Sequence, residues 1–285
     1  MQTDKRRKDY LICVDSDGCA MDTMDIKHIR CFGPCMVKEW GLEQWESQIL
    51  HRWNEINLYT LTRGINRFKG LSLALREIND TYMPIEDIDM LEAWVRETKE
   101  LSNAALTRAI QSSDSIVLRK ALSWSQSVNQ AIDRLPFELK KPFDGVREGL
   151  KAAHEYADVV IVSSANRQAV VEEWQEYGLL DYVDEIMAQD VGSKAFCIRE
   201  MLKKGYSTDK VMMVGDALGD YEAACKNGVF YYPILVRNEK KSWVELKSVA
   251  VEKLTNGQFA GEYQQQKIDQ FMQNLGSTTR QEMRN

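Results

Sequence analysis

One short apolar run near the start of the chain constrains the fold more than any other stretch. Residues 11–14 (Leu, Ile, Cys, Val) read as a buried strand, and Asp15, Ser16, Asp17 and Gly18 follow at once. No second run of that kind occurs until residue 159. A sheet needs more than one strand, so the first run has to join strands formed much later in the chain. Everything between then becomes an insertion.

The insertion reads as helical. Trp45, Ile49, Trp53 and Ile56 recur three to four residues apart, and Val117, Ala121, Val128 and Ile132 continue the pattern. Breaks are expected at Gly33-Pro34, between Gly64 and Gly70, at Pro84 and at Pro136. After Pro142 the style changes. Strands are expected at residues 159–162, 185–187, 211–214 and 230–236, with helices at 145–156, 168–177, 194–204, 221–226 and 243–254. Alternation at this spacing implies βαβ units and a parallel sheet. The Gln-rich end predicts one docked helix through Ile268, Phe271 and Leu275, then a frayed tail. The expected fold class is α/β. A three-layer core of residues 1–24 and 142–285 carries the parallel sheet, and residues 25–141 form an all-helical cap domain.

Composition excludes some functions. The chain has 285 residues and a net charge of −6, which speaks against nucleic-acid binding. No apolar stretch approaches the roughly 18 residues of a membrane span. The basic start is followed by too short an apolar run for a signal peptide, so a cytoplasmic protein is expected. Its six cysteines then read as reduced thiols. His28, Cys31 and Cys35 match no zinc spacing and are expected to be packed side chains. The aromatic-rich insert offers a surface for self-association, so the expected assembly is a monomer or a homodimer.

Polar clusters fall at the expected strand ends and helix starts: Asp15/Asp17, Ser163, Lys194 and Asp216/Asp220. In a parallel sheet these meet on the carboxyl edge, where ligands bind. Four carboxylates beside one lysine need a cation, and Mg²⁺ suits oxygen ligands and phosphate chemistry. The expected metal set is Asp15, Asp17, Asp216 and Asp220. Asp15, at the rigid strand terminus, is the expected nucleophile, and Asp17 the acid and base. Ser163 is expected to hydrogen-bond a phosphoryl oxygen and Lys194 to neutralise charge. Asn166, just past Ser163, is expected to touch substrate. So is Arg67, in a basic cluster with Arg63, Asn66 and Lys69.

Asp15-Ser16-Asp17-Gly18, the run ending in Ser163, Lys194 and Gly215-Asp216-Ala217-Leu218-Gly219-Asp220 resemble, in order, the four motifs of the haloacid dehalogenase superfamily. Phosphatases of that superfamily read D-x-D-G-T-L-x-D, and here Cys19-Ala20 replaces Thr-Leu. The resemblance implies a Rossmann-like core and a Mg²⁺ held by Asp15, Asp216 and the backbone carbonyl of Asp17. It also implies an Asp220 that orients Lys194 or a metal-bound water. The expected activity is Mg²⁺-dependent hydrolysis of a small phosphorylated metabolite through an aspartyl-phosphate. A phosphomutase, a phosphonate hydrolase and a non-catalytic binding protein on the same fold are the alternatives.

Overall fold

The computed structural model describes residues 6–282. The frayed tail expected beyond the last helix lies outside the described residues from 283 onward. The chain divides into two compact units: one joins the segment up to Met24 to the segment from Phe137 onward, and the other is Asp25–Pro136. The second junction thus falls a few residues before 142. Phe137 is held by the first unit, its ring stacked on Tyr177 at 6.2 Å.

The helical unit contains α1 (Met24–Lys27, at the junction), α2 (Gly33–Trp40), α3 (Glu46–Asn54), α4 (Arg67–Thr81), α5 (Ile88–Glu97), α6 (Asn103–Gln111) and α7 (Ile116–Asp133). Its own core holds Met36, Trp53, Phe68, Leu71, Leu91 and Trp124. One expected break is corrected here. Gly33-Pro34 does not interrupt the helix, because a π-helical turn over His28–Phe32 leads straight into α2. The wider turn bonds the Gly33 N–H to the His28 carbonyl, and Pro34, which lacks an N–H, falls in the first turn of α2 where none is required. The break expected between Gly64 and Gly70 is present ahead of α4, which begins at Arg67, so Gly70 itself lies inside the helix. A Cβ there would sit 2.4 Å from Oδ1 of Asn57, so the glycine marks close packing and not a turn.

The other unit is built on five parallel strands in the order β3-β2-β1-β4-β5. They are β1 (Tyr10–Val14), β2 (Ala157–Val162), β3 (Glu185–Met187), β4 (Val211–Gly215) and β5 (Phe230–Pro233). The early run is the central strand: Ile12 pairs with Val159 on one side and Met212 on the other. Its residues Leu11 to Val14 are fully buried, as a strand covered on both faces must be. Strands added on either side of β1 make its carboxyl end a topological switch point.

Helices α8 (Val146–Tyr156), α9 (Arg167–Glu176), α10 (Lys194–Leu202) and α11 (Leu218–Asn227) connect the strands. Strand β5 ends at Pro233, three residues sooner than expected, and the Ile234 N–H turns back to the Gly215 carbonyl at 2.8 Å. The expected 243–254 helix starts earlier and comes in pieces: α12 (Glu239–Glu245), a π-helical turn and α13 (Val251–Thr255). The docked helix is α14 (Glu262–Glu282), with Phe271 and Leu275 buried. No helix among the described residues is long and apolar enough to cross a membrane.

Gly149 of α8 faces Trp243, where an added Cβ would meet the ring at 2.5 Å. A Gly→Ala change inside a helix ordinarily stabilises by about 1 kcal/mol. Trp243 is held by its Nε1–H donating to the Cys19 carbonyl at 2.9 Å, so it has no room to yield. Overpacking by about 1–3 kcal/mol should therefore reverse the sign. Gly149→Ala is expected to lower the urea unfolding midpoint; a raised midpoint would mean that the indole can move.

Candidate active site

The first strand delivers Asp15 to the carboxyl edge. Its N–H continues the ladder to the Val214 carbonyl at 3.0 Å, which keeps the backbone rigid up to that residue. The chain then folds over Ser16, whose carbonyl accepts the N–H groups of Cys19, Ala20 and Met21 at 3.2, 2.9 and 2.9 Å. Gly18, at φ 82°, supplies the left-handed backbone that the turn requires. Two buried indoles pin the loop from below. Trp174 Nε1 donates to Ser16 Oγ at 2.9 Å, and Trp243 donates to the Cys19 carbonyl.

Cys19, in the place of the usual Thr, faces the core. It is fully buried, and its thiol donates to the Val214 carbonyl at 3.6 Å. Burial, then the nearby carboxylates, pushes that thiol well above its ordinary range. Asp17 is half-buried, and the Thr23 hydroxyl donates to its Oδ1 at 2.6 Å.

The remaining motifs converge on Asp15. Lys194 opens α10, and its ammonium lies 2.8 Å from Asp15 Oδ2 and 2.6 Å from Asp220 Oδ1. Asp220 stands in the first turn of α11, where its Oδ2 also accepts the Ala217 N–H at 3.1 Å. A Cβ on Gly215 would fall 2.3 Å from the Asp220 carboxyl carbon, so only glycine permits this approach. Asp15, Asp216 and Asp220 are all buried and offer carboxylate oxygens within 4.8 Å of one another. Of the four carboxylates expected to surround a metal, Asp17 is not part of that group.

Burial raises Asp15 well above the usual carboxylate range; Lys194 opposes the rise, and Asp220 and Asp216 add to it. Burial pulls Lys194 the other way, but Asp15 and Asp220 together hold it above its ordinary value, and it stays an ammonium. Three carboxylates against one ammonium leave surplus negative charge in a water-poor pocket. A hard divalent cation with oxygen ligands would relieve it.

Ser163 directly follows β2 and is 2% exposed, whereas Ser164 is exposed. Its N–H bonds the Met187 carbonyl at 3.0 Å, and its Oγ accepts the Ala165 N–H at 3.1 Å. Asn166 has a capping job: its Oδ1 accepts the N–H groups of Gln168 and Ala169 at the start of α9. It lines an open cleft of about 600 Å³ with Arg167 and Gln189, and no residue of the carboxylate cluster lines that cleft. Arg67 is engaged within the helical unit by Ser125 and Asn129. His28, Cys31 and Cys35 form no metal-competent group among the described residues; the His28 ring stacks on Phe32 at 4.5 Å. Trp174, Trp243 and Thr23 escaped the sequence reading. Their partners lie across the fold or depend on backbone direction.

A family model described as haloacid dehalogenase-like hydrolase matches residues 85–233. That span contains Ser163, Lys194, Asp216 and Asp220 but not Asp15 or Asp17. A search of curated proteins finds no match. Among solved structures, the chain is similar to a protein of Lactobacillus delbrueckii subsp. bulgaricus, named by inference as a phosphoglycolate phosphatase. Identity is 13% and the TM-score 0.53, over 89% of this chain and 100% of that one. It is also similar to a haloacid dehalogenase-like family hydrolase from Streptococcus pneumoniae, at 12% identity and a TM-score of 0.49, over 87% of this chain and 97% of that one. The first of these likenesses is one of fold.

Ser16 and Trp174 are both fully buried, so removing either leaves a polar group without its partner. Trp174→Phe is expected to cost about 1–3 kcal/mol in urea unfolding. Adding Ser16→Ala to it should cost little more. Equal, additive losses would show that the hydrogen bond does not couple the two residues.

Proposed function

The chain belongs to the haloacid dehalogenase-like hydrolases, and from that premise we propose that it is a Mg²⁺-dependent phosphatase of a small phosphorylated metabolite. The observation that carries the reading is the Lys194 bridge between Asp15 and Asp220 inside a buried three-carboxylate cluster. A structural ion pair gains nothing from two further buried carboxylates, because each adds desolvation cost.

Asp15 is the nucleophile. Lys194 takes its Oδ2, which leaves Oδ1 to attack phosphorus. The Oδ1–P bond forms as the ester P–O bond breaks, and the leaving alkoxide takes a proton from Asp17. Water then attacks the aspartyl-phosphate. Asp17 accepts the proton that the water gives up, phosphate leaves, and Asp15 is regenerated. Thr23 fixes one Asp17 oxygen and so aims the other. The Ser163 hydroxyl proton is available to a phosphoryl oxygen, because its Oγ already accepts from the Ala165 N–H. Lys194 holds positive charge beside the same oxygens.

The donor set fits Mg²⁺, since it consists of hard carboxylate oxygens. Asp15 and Asp216, with the Asp17 carbonyl, would hold the ion, which supplies charge neutralisation at the phosphoryl group. Both Asp220 oxygens are engaged, by Lys194 and the Ala217 N–H, so Asp220 is a positioning residue and not a ligand. Cys13, Cys19, Cys35, Cys197 and Cys225 are free thiols, which supports a reducing compartment such as the cytoplasm. Net charge and the acidic site favour a small-molecule substrate over nucleic acid.

Purified protein is expected to turn over p-nitrophenyl phosphate with Mg²⁺ and to lose that activity in EDTA. Asp15→Asn should lower the rate by at least about 10³-fold without unfolding the protein. Metal-independent turnover, or a fully active Asp15→Asn, would refute the assignment.

A further inference from the structure

The carbonyl of Gly215 accepts two hydrogen bonds, and the second is one that the sheet does not require. The Ile234 N–H donates to it at 2.8 Å where β5 ends. The Tyr231 hydroxyl donates to the same oxygen at 3.0 Å. That oxygen belongs to the peptide linking Gly215 to Asp216, the last backbone unit before the carboxylate.

Gly215 has to be glycine, because a Cβ would fall 2.3 Å from the Asp220 carboxyl carbon. Glycine also restrains its own backbone less than any other residue. The position that lets Asp220 approach is therefore the loosest link in the backbone carrying Asp216. Two donors on one carbonyl supply the restraint from outside. A rotation of that peptide would break both bonds. It would also displace Asp216 and Ala217, whose N–H holds Asp220 Oδ2 at 3.1 Å.

Tyr231 is held in turn. It is 1% exposed, and its ring meets Tyr221 of α11 at 5.4 Å and Phe271 of α14 at 5.3 Å, both edge to face. Phe271 is as deeply buried. Helix α14 is itself tied down near its start. The Tyr263 hydroxyl donates to Glu245 Oε1 at 3.0 Å, and Lys267 pairs with the same carboxylate. Contacts thus run without a gap from α14 through Phe271 and Tyr231 to the Gly215 peptide. Tyr232 supplies a contrast. It is equally buried, and its hydroxyl donates to the Ser242 carbonyl at 2.8 Å. Successive strand residues point to opposite faces, so that bond serves the other side of the sheet.

We propose that Tyr231 is a positioning residue for the candidate site. Its hydroxyl, backed by Phe271 of α14, fixes the Gly215–Asp216 peptide and with it the placing of Asp216 and Asp220. The consequence for metal binding rests on the reading of Asp216 as a ligand.

The test uses the full chain and two readouts that need no turnover. The first is Mn²⁺ affinity, followed by the electron paramagnetic resonance of the free ion, since Mn²⁺ takes the same oxygen ligands as Mg²⁺. The second is hydrogen exchange of the Ala217 amide in metal-free, ¹⁵N-labelled protein. In Tyr231→Phe the Gly215 carbonyl keeps its bond from Ile234, so no buried acceptor is orphaned and the fold is expected to survive. Mn²⁺ affinity should fall about tenfold, as when a partner that orients a metal ligand is lost. Ala217 exchange should quicken by about the same factor. Tyr232→Phe, which also deletes a buried hydroxyl bond, should change neither. Phe271→Leu should shift both readouts in the direction of Tyr231→Phe, and it decides the matter if Tyr231→Phe does not fold. Adding Phe271→Leu to Tyr231→Phe should add little, because the ring acts through the hydroxyl. Native values in Tyr231→Phe, or equal losses in Tyr232→Phe, overturn the proposal. A native protein that binds no Mn²⁺ refutes the metal reading instead. The Ala217 exchange then decides the positioning role, and unchanged exchange overturns it.

Discussion

The catalytic-core unit depends on burying Asp15, Asp216 and Asp220 around the single ammonium of Lys194. Charges leave water only at considerable cost, and the pair attraction repays it only when geometry is tight and the remaining lone pairs are satisfied. Much of the surrounding architecture serves that condition. The parallel register brings the ends of β1 and β4 side by side. Glycine at 215 lets the Asp220 carboxyl approach where any Cβ would collide. The first turn of α11 gives that carboxyl a backbone N–H, and α10 begins at Lys194, so its ammonium reaches both partners.

Oxygen by oxygen, the carboxylates are committed unequally, and the proposed mechanism uses that inequality. Asp220 has one oxygen on Lys194 and the other on a backbone amide, so it is fixed and has little left for chemistry. Asp15 has one oxygen tied and is held by the sheet itself. Asp17 lies half-exposed in the loop, with Thr23 on one oxygen, outside the three-carboxylate cluster. A nucleophile has to be held still, and a proton carrier has to reach both a leaving group and water. Residues two apart in sequence thus occupy environments suited to different work.

How much of this was legible in the sequence depended on whether the cause was local. The strands at 11–14, 159–162 and 211–214 announced themselves as apolar runs ended by polar residues, and Asp15 and Asp216, which end the first and third, lie in one buried carboxylate cluster. The helical character of the insertion followed from its three-to-four spacing. Failures came where a distant partner decided the local outcome. The break near Gly64 was legible, but not that Gly70 lies past it in a helix packed on Asn57. Gly33-Pro34 looked like a break because a π-helical turn leaves no simple periodic mark. Trp174 and Trp243 looked like ordinary core residues. Only the fold shows that their N–H groups hold the loop between Asp15 and Met21. Cys19, the departure from the resembling motif, is explained in the same way: its side chain turns into the core, where a thiol satisfied by one carbonyl packs without strain.

Lys194 and Arg67 show two opposite uses of a partly buried cation. Lys194 is matched by more negative charge than it can neutralise, so that pocket calls for a second cation. Arg67 is surrounded by amides, a hydroxyl and an aromatic face, none of which carries charge. A fold that needed Arg67 only for packing would be served better by an uncharged residue, or by a carboxylate beside it as at Arg52 or Arg76. Neutral acceptors hold the guanidinium in one orientation without offsetting its charge. An internal carboxylate would have stabilised the unit.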